Sequence, residues 1–161
     1  MERISKVEYY LNIAKAVSAR STCLRRNYGC VIVKNDEIIA TGYNGAARGE
    51  PNCCNVYKEC PRSHMAHNTG DYSDCPAVHA EQNAMLSASR EKMIGATLYL
   101  AGFERLPDGK TAEITTCAPC PICSRMIKNS GIGDIVSLKD GEIIDTLLRK
   151  DGPVVLKTRL C

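Results

Sequence analysis

The sequence predicts a three-layer α/β domain, because segments with helical spacing alternate along the chain with short runs of β-branched residues and with turn signals. Apolar residues recur at helical spacing over residues 5–20 and predict an opening helix. A β-hairpin is expected next, since the runs at residues 30–33 and 38–41 are rich in Val, Ile and Thr and flank the turn residues Asn35 and Asp36. The polar stretch at residues 45–76 then interrupts the pattern.

The second half of the chain continues the same alternation. Helices are predicted over residues 79–92, 121–130 and 144–150, and strands over residues 97–101, 111–116, 135–138 and 154–156. Gly131 should end the second of these helices, and the pair Asp140-Gly141 marks a turn. Because no repeat or linker-like stretch occurs, we expect residues 1–161 to form a single domain.

Composition and charge narrow the classes of function. With 44% hydrophobic and 24% charged residues, the chain has the composition of a globular protein. A net charge of +3 is too small to indicate a nucleic-acid or membrane surface, although its sign suits an anionic small-molecule substrate. No apolar run approaches the ~18 residues of a membrane span, and the charged N-terminus does not resemble a signal peptide. These features predict a cytoplasmic location, with no nucleic-acid partner and no membrane partner.

Ten cysteines are many for a chain of 161 residues. In a reducing compartment, clustered cysteines indicate metal binding or catalysis rather than disulfides. Four of them lie within the polar stretch at residues 45–76, together with His64 and His67. A structureless segment of this length is uncommon unless something ties it down, and a metal ion is the expected tie.

Two motifs predict a catalytic zinc. His79-Ala80-Glu81 and Pro119-Cys120-Pro121-Ile122-Cys123 each stand at the start of a predicted helix, whose N-terminus carries partial positive charge. His79, Cys120 and Cys123 would be three protein ligands, which leaves the fourth position open for a water that the metal activates. Glu81 would stand beside the metal without binding it, as the group that shuttles protons to the substrate and the leaving amine. This combination of motifs is a known signature of zinc-dependent deaminases.

Other interpretations of these motifs compete with catalysis. Taken alone, Cys120 and Cys123 could form a structural zinc knuckle or a redox pair. A lone His-x-Glu would usually be a solvated helix start. A structural zinc site, however, is closed by a fourth protein ligand and has no use for Glu81.

The order of several further motifs supports a family assignment. The segments that carry it are residues 20–26 (RSTCLRR), 42–45 (GYNG), 79–84 (HAEQNA), 95–99 (GATLY) and 119–123 (PCPIC). From about Ser18 to Val136, the chain resembles the deoxycytidylate deaminase family, within the cytidine deaminase superfamily. The resemblance implies a mixed five-stranded sheet flanked by helices. It also implies a homo-oligomer, often a hexamer, and possible control by a deoxynucleotide triphosphate effector.

The resemblance further implies a second, structural zinc. The matching positions are Cys23, Cys53, His67 and Cys75, with Cys54, Cys60 and His64 as alternative ligands. For some of these cysteines, simple burial as small hydrophobic residues is the competing interpretation.

Three substrate contacts follow from the resemblance. Asn44 is expected to contact the nucleotide, and Arg90 and Arg26 are candidates for phosphate recognition. The planar guanidinium donates two parallel hydrogen bonds to phosphate. An exposed position near a helix end is the alternative explanation for Arg90.

The chain departs from the family pattern in two segments, and the second of them bears on substrate choice because it is expected beside the active site. Tyr28-Gly29-Cys30 stands where Val-Gly-Ala is usual, and residues 102–117 form a longer link before the second zinc motif.

The predicted activity is zinc-dependent hydrolytic deamination of deoxycytidine monophosphate (dCMP). The alternatives are deamination of another nucleoside, nucleotide or base, such as cytidine, guanine or adenosine in transfer RNA, and a non-catalytic, zinc-stapled nucleotide-binding module.

Overall fold

The computed structural model describes residues 2–66, 69–70, 72–149 and 152–157. Its helices are α1 (Lys6–Ser18), α2 (Cys53–Val56), α3 (Ala80–Leu86), α4 (Arg90–Met93) and α5 (Pro121–Ser130). Its strands are β1 (Arg26–Lys34), β2 (Glu37–Tyr43), β3 (Gly45–Ala46), β4 (Ala77–Val78), β5 (Thr97–Arg105), β6 (Thr111–Glu113), β7 (Asp134–Lys139), β8 (Glu142–Arg149) and β9 (Gly152–Lys157). None of the described helices has the length and apolar character needed to cross a membrane.

The predicted mixed sheet is confirmed. Its strand order is β2-β1-β5-β7-β8-β9, with β6 paired to β5, and β5 and β7 run parallel while the other neighbours are antiparallel. The described strands of this sheet number seven rather than the expected five. The two additional strands are β6, which is formed by the longer link after β5, and β9 at the end of the described chain.

The prediction of a helix over residues 144–150 is wrong, because residues 144–149 lie in β8, and residue 150 is outside the described part of the chain. Asp140 and Gly141 both have positive φ, at 53° and 81°. Two such residues form the kind of tight turn that sends the next segment back as an antiparallel strand. The register confirms this, since Lys139 pairs with Glu142 and Ser137 pairs with Ile144.

The predicted helix over residues 79–92 is two short helices, α3 and α4. Ser89 caps the second one, because its hydroxyl accepts the N–H of Lys92. The break places the residues after Leu86 in a separate segment, and this changes the position expected for Arg90.

Helices cover both faces of the sheet, as the three-layer prediction requires. Alternate residues of β1 point to opposite faces. Val31 and Val33 pack with α1, whereas Cys30 and Ile32 pack with α3 and α5. The second face is the one that carries both predicted zinc motifs.

Two glycines allow helices to approach the sheet closely. A Cβ on Gly29 would lie 1.9 Å from the carbonyl oxygen of Ala14 in α1, and a Cβ on Gly42 would lie 2.3 Å from that of Ala80 in α3. No side chain fits at either distance. Gly42 therefore allows the start of α3, with its zinc motif, to lie directly against β2.

Candidate active site

The two predicted zinc motifs meet at the starts of α3 and α5. His79 is the N-cap residue of α3, Cys120 is the N-cap residue of α5, and Cys123 lies in the first turn of α5. The Nδ1 atom of His79 lies 3.5 Å from Sγ of Cys120 and 3.4 Å from Sγ of Cys123. All three ligand atoms lie within 4.8 Å of one another, in a partly buried position.

This geometry fits a tetrahedral zinc ion. Zn–S and Zn–N bonds of ordinary length, at a tetrahedral angle, place sulfur and nitrogen about 3.6 Å apart. The protonation of the buried sulfurs also indicates that a cation binds here. Burial and the neighbouring Glu81 carboxylate raise the pKa of the Cys123 thiol far above its usual value, so a nearby positive charge is needed to hold it as a thiolate.

Glu81 stands beside this metal-binding group in the first turn of α3. Its side chain is 5% exposed, and the Cys123 thiol donates a hydrogen bond to its carboxylate. Burial raises the pKa of Glu81 above the ordinary value, although the hydrogen bonds oppose this shift. A raised pKa suits a carboxyl group that must accept and release a proton near neutral pH.

A pocket extends from the metal-binding group toward a cluster of arginines. His79, Glu81 and Cys120 are among the residues that line it. The rest of its wall includes the side chains of Arg25, Arg26, Tyr28, Arg62 and Tyr72. A site for hydrolytic chemistry and a set of anion-binding side chains therefore share one cavity.

Arg26 is held on the pocket wall by neighbours on two strands. Its Nε atom donates to Oε1 of Glu104 at 2.9 Å, directly across the β1–β5 register. Arg26 also hydrogen-bonds the hydroxyl of Tyr28, and burial raises the pKa of that hydroxyl. Tyr28, one of the departures from the family pattern, thus lines the pocket between Arg26 and Glu81.

Asn44 lines the same pocket but also fastens the start of β1. Its side-chain oxygen accepts the N–H of Tyr28 at 2.7 Å, and its amide donates to the carbonyl of Arg26 at 2.8 Å. The Ser21 hydroxyl donates to the same Asn44 oxygen at 2.8 Å. These bonds give Asn44 a positioning function, and its contact with a nucleotide stays a prediction.

Arg90 lies outside the pocket lining. It is the exposed first residue of α4. The side chain of Lys34, at the end of β1 opposite Arg26, donates to the carbonyl of the adjacent Glu91 at 3.3 Å. Within one chain, Arg90 and Arg26 therefore stand at opposite ends of the sheet.

The segment at residues 47–76 is an excursion between β3 and β4, which pair and bring its two ends together. We call this segment the cysteine loop. The pKa of the Cys53 thiol is raised by burial and by the nearby thiols of Cys23, Cys75 and Cys60, so the four sulfurs share one neighbourhood. Among the described residues, however, they are not as closely grouped as the ligand atoms at His79.

The alternatives for the second metal site differ in position. The sulfur of Cys60 belongs to the group and accepts the backbone N–H of Arg62. Cys54 is exposed, and the side chain of His64 is 87% exposed beside Glu59. His67 lies outside the described residues.

Arg62 and Tyr72 are pocket residues that the sequence patterns did not reveal. Both lie in the irregular cysteine loop, where neither helical nor strand periodicity indicates which side chains turn inward. The only sequence signal was the closeness of Arg62 to Cys60.

Comparisons with known proteins agree with this geometry. Residues 4–139 match the family described as "Cytidine and deoxycytidylate deaminase zinc-binding region". A deoxycytidylate deaminase of Mycobacterium phage D29 is 40% identical over 146 residues, covering 87% of this chain and 99% of the relative. One from Schizosaccharomyces pombe is 38% identical over 130 residues, covering 80% of this chain and 35% of that longer protein. The crystal structure of a cyanophage S-TIM5 dCMP deaminase in complex with dCMP and dUMP superposes with a TM-score of 0.59 at 28% identity, covering 84% of this chain and 83% of the other.

Proposed function

The chain belongs to the cytidine and deoxycytidylate deaminase family, and from this membership we propose that it hydrolyses dCMP to dUMP and ammonia. One observation carries the choice of substrate. A single pocket joins the His79, Cys120 and Cys123 group to Arg25, Arg26 and Arg62. The metal-binding group suits hydrolysis at a carbon, and the arginines suit the binding of an anion.

The residues of the chain divide the chemistry between them. His79, Cys120 and Cys123 would hold the zinc ion, which when bound activates water for attack on the pyrimidine ring. Glu81 accepts one proton of the attacking water and donates it to the ring nitrogen, and it then carries the second water proton to the departing amine, which leaves as ammonia. Its burial keeps these transfers away from bulk solvent.

The phosphate group would bind at the arginine-rich part of the pocket. Arg26 is the best placed of the residues predicted from the sequence, because Glu104 fixes its orientation at the pocket wall. The exposed Arg90, outside the lining, is the weaker candidate.

The test compares the kcat/KM values for dCMP and deoxycytidine. A charge-assisted contact is worth about 1.5–3 kcal/mol, so we expect a preference for dCMP of about tenfold to a hundredfold from each phosphate contact. Arg26→Gln should reduce this preference, whereas the matched control Arg90→Gln should not. Equal efficiency on the two substrates in the unmodified protein would move the assignment to a nucleoside deaminase. If only Arg90→Gln lost the preference for dCMP, Arg90 rather than Arg26 would be the residue that binds the phosphate.

The same assay distinguishes the proposed deaminase from the non-catalytic alternative, a nucleotide-binding module in which zinc has only a structural role. Glu81 argues against it, since a module that only binds nucleotide has no use for a buried proton carrier. Tight binding of dCMP without release of ammonia would favour it.

We also infer a second, structural zinc held by Cys23, Cys53 and Cys75. The fourth ligand is His67, as the family resemblance implies, or Cys60, whose thiol lies near the other three. Elemental analysis should return two zinc ions per chain. His67→Ala and Cys60→Ser then identify the fourth ligand, because only the variant that lacks it should fall to one zinc ion.

The remaining expectations concern assembly, regulation and location. A homo-oligomer, as a hexamer, is consistent with three exposed apolar side chains, which are Leu86 on α3, Ile94 directly after α4 and Ile122 on α5. Light scattering at micromolar concentration would test it, and a monomer would contradict it. A deoxynucleotide triphosphate effector and a cytoplasmic location complete the proposal, and a reducing compartment would keep the nine described cysteines free of disulfides.

A further inference from the structure

Three side chains in successive contact lead from the cysteine loop to the candidate zinc ligand His79. The guanidinium carbon of Arg62 lies 3.9 Å from the centroid of the Tyr72 ring. The Tyr72 ring in turn meets the imidazole of His79 edge to face, with centroids 5.8 Å apart and planes at 61°. Both distances lie within the ranges in which cation–π and aromatic pairs attract.

The outer end of this row is fixed by several bonds. The side chain of Arg62 is buried, and its guanidinium donates to the carbonyl of Thr69 within the cysteine loop. The backbone of Arg62 donates to Cys60 Sγ and accepts a bond of 2.8 Å from the guanidinium of Arg25. Arg62 is therefore attached both to the loop and to the residue that precedes β1.

The inner end of the row reaches the metal-binding group. Nδ1 of His79 faces the sulfurs of Cys120 and Cys123, so Nε2 is the nitrogen on the side of the ring away from them. A metal-ligating histidine keeps its orientation only if neighbouring groups restrain the rest of the ring. Tyr72 is an aromatic neighbour in contact with this ring.

We propose that Tyr72 is a positioning residue for His79, and that Arg62 holds Tyr72 in place. Through these two residues, the cysteine loop sets the orientation of the imidazole at the zinc centre, in addition to contributing to the pocket wall. The inference rests on the proposed function only in taking the metal at His79 to be the zinc ion of a deaminase.

Two substitutions at one position separate the ring contact from the hydroxyl. Tyr72→Phe keeps the aromatic contact with His79, and Tyr72→Leu removes this contact while retaining an apolar side chain. Tyr57→Leu is the matched control, because Tyr57 is an exposed tyrosine of the same loop that does not line the pocket. Arg62→Met removes the cation but keeps the aliphatic contact over the ring, and it carries the test if Tyr72→Leu fails to fold.

The first readout is the rate at which a chromophoric chelator removes zinc from the purified protein. Zinc release from the two sites gives separate kinetic phases. The phase that is missing from a Cys123→Ser variant is the release of zinc from the His79 site. We expect Tyr72→Leu to lose this zinc about tenfold faster than the unmodified protein, since groups that restrain a metal-ligating histidine change metal affinity about ten- to a hundredfold. Tyr72→Phe and Tyr57→Leu should match the unmodified protein, and Arg62→Met should fall between.

The second readout is the ¹⁵N–¹H NMR spectrum of the imidazole rings, which is simple because the chain has three histidines. Tyr72→Leu should shift the resonances of His79 and leave those of exposed His64 in place. Unchanged zinc release and an unchanged His79 spectrum in a folded Tyr72→Leu would overturn the proposal, as would a Tyr72→Phe defect as large as that of Tyr72→Leu. Neither readout uses a nucleotide, so a wrong substrate assignment would leave this result intact.

Discussion

The chain has two groups of candidate metal-binding residues, and the fold holds them in different ways. His79, Cys120 and Cys123 stand on the first residues of two helices that pack on the sheet, and their ligand atoms already lie within 4.8 Å of one another. Cys23, Cys53, Cys60 and Cys75 lie outside the main sheet, three of them in an irregular loop. Folding of the backbone brings the first group to metal-binding distance, but it brings the second group only into one neighbourhood.

This difference concerns what a metal ion contributes at each position. A site on rigid elements is organised before the ligand arrives, and the ion adds chemistry. A loop with little regular structure of its own depends on the ion for its order, and binding free energy becomes folding free energy. The two groups should therefore respond differently to substitution.

The largest expected effect is on catalysis at the preorganised group. Glu81→Gln removes the proton carrier and retains all three ligand atoms, so kcat should fall about a hundredfold to ten-thousandfold with unchanged zinc content. Glu91→Gln is the matched control, an exposed acid on the neighbouring helix α4. Initial rates and elemental analysis of the two variants measure the effect. Near-normal turnover in Glu81→Gln would contradict the proposed mechanism.

A large effect on stability is expected at the cysteine loop. Cys75→Ser should release the structural zinc and lower Tm by about 5–10 °C, which corresponds to a few kcal/mol for a chain of this size. Cys54→Ser, an exposed cysteine of the same loop, should leave Tm and zinc content unchanged. Calorimetry with and without a chelator measures both. If Cys75→Ser and Cys54→Ser melt at the same temperature, the loop does not depend on a metal.

Two glycine substitutions separate the two faces of the sheet. Gly42→Ala forces a methyl group against the backbone of Ala80 and Ala84, and Gly29→Ala does the same against Ala14. Each should cost about 1–3 kcal/mol of stability through overpacking. Gly42→Ala alone should also weaken zinc binding, because it displaces the helix that begins at His79. Chelator competition distinguishes them, and equal zinc loss in both variants would show that the centre is not tied to β2.

The smallest expected effect lies far from either group. Lys6 and Tyr10 hydrogen-bond the Asp36 side chain and lower its pKa, chiefly through Lys6. Stability from a lowered carboxyl pKa is complete above the unfolded value of about 3.9 and is lost as pH falls through the folded value. Asp36→Asn keeps a side chain that tolerates the positive φ of 65° at this position. In urea unfolding from pH 7 to pH 2.5, the free energy of unfolding should fall slightly less with pH in Asp36→Asn than in the unmodified protein. The same dependence on pH in both proteins would show that Asp36 makes no such contribution to stability.

Much of the architecture was predictable from local patterns. The spacing of apolar residues predicted α1, Gly131 marked the end of α5, and the β-branched runs predicted the β1–β2 hairpin, because each of these signals acts over a few neighbouring residues. The failure at residues 144–150 came from a turn. The backbone at Asp140 and Gly141, rather than the periodicity of the residues that follow, directs this segment back along β7 as a strand.

For the site, the sequence alone predicted the chemical character of the metal centre. Ligand type and spacing limit which metal can bind, and His79, Cys120 and Cys123 carry that information at two helix starts. Only the tertiary structure decided which charged and aromatic side chains share the pocket. It places Arg62 and Tyr72 inside and Arg90 at the far end of the sheet, because cross-strand register and loop path, rather than separation along the chain, set the distance between side chains.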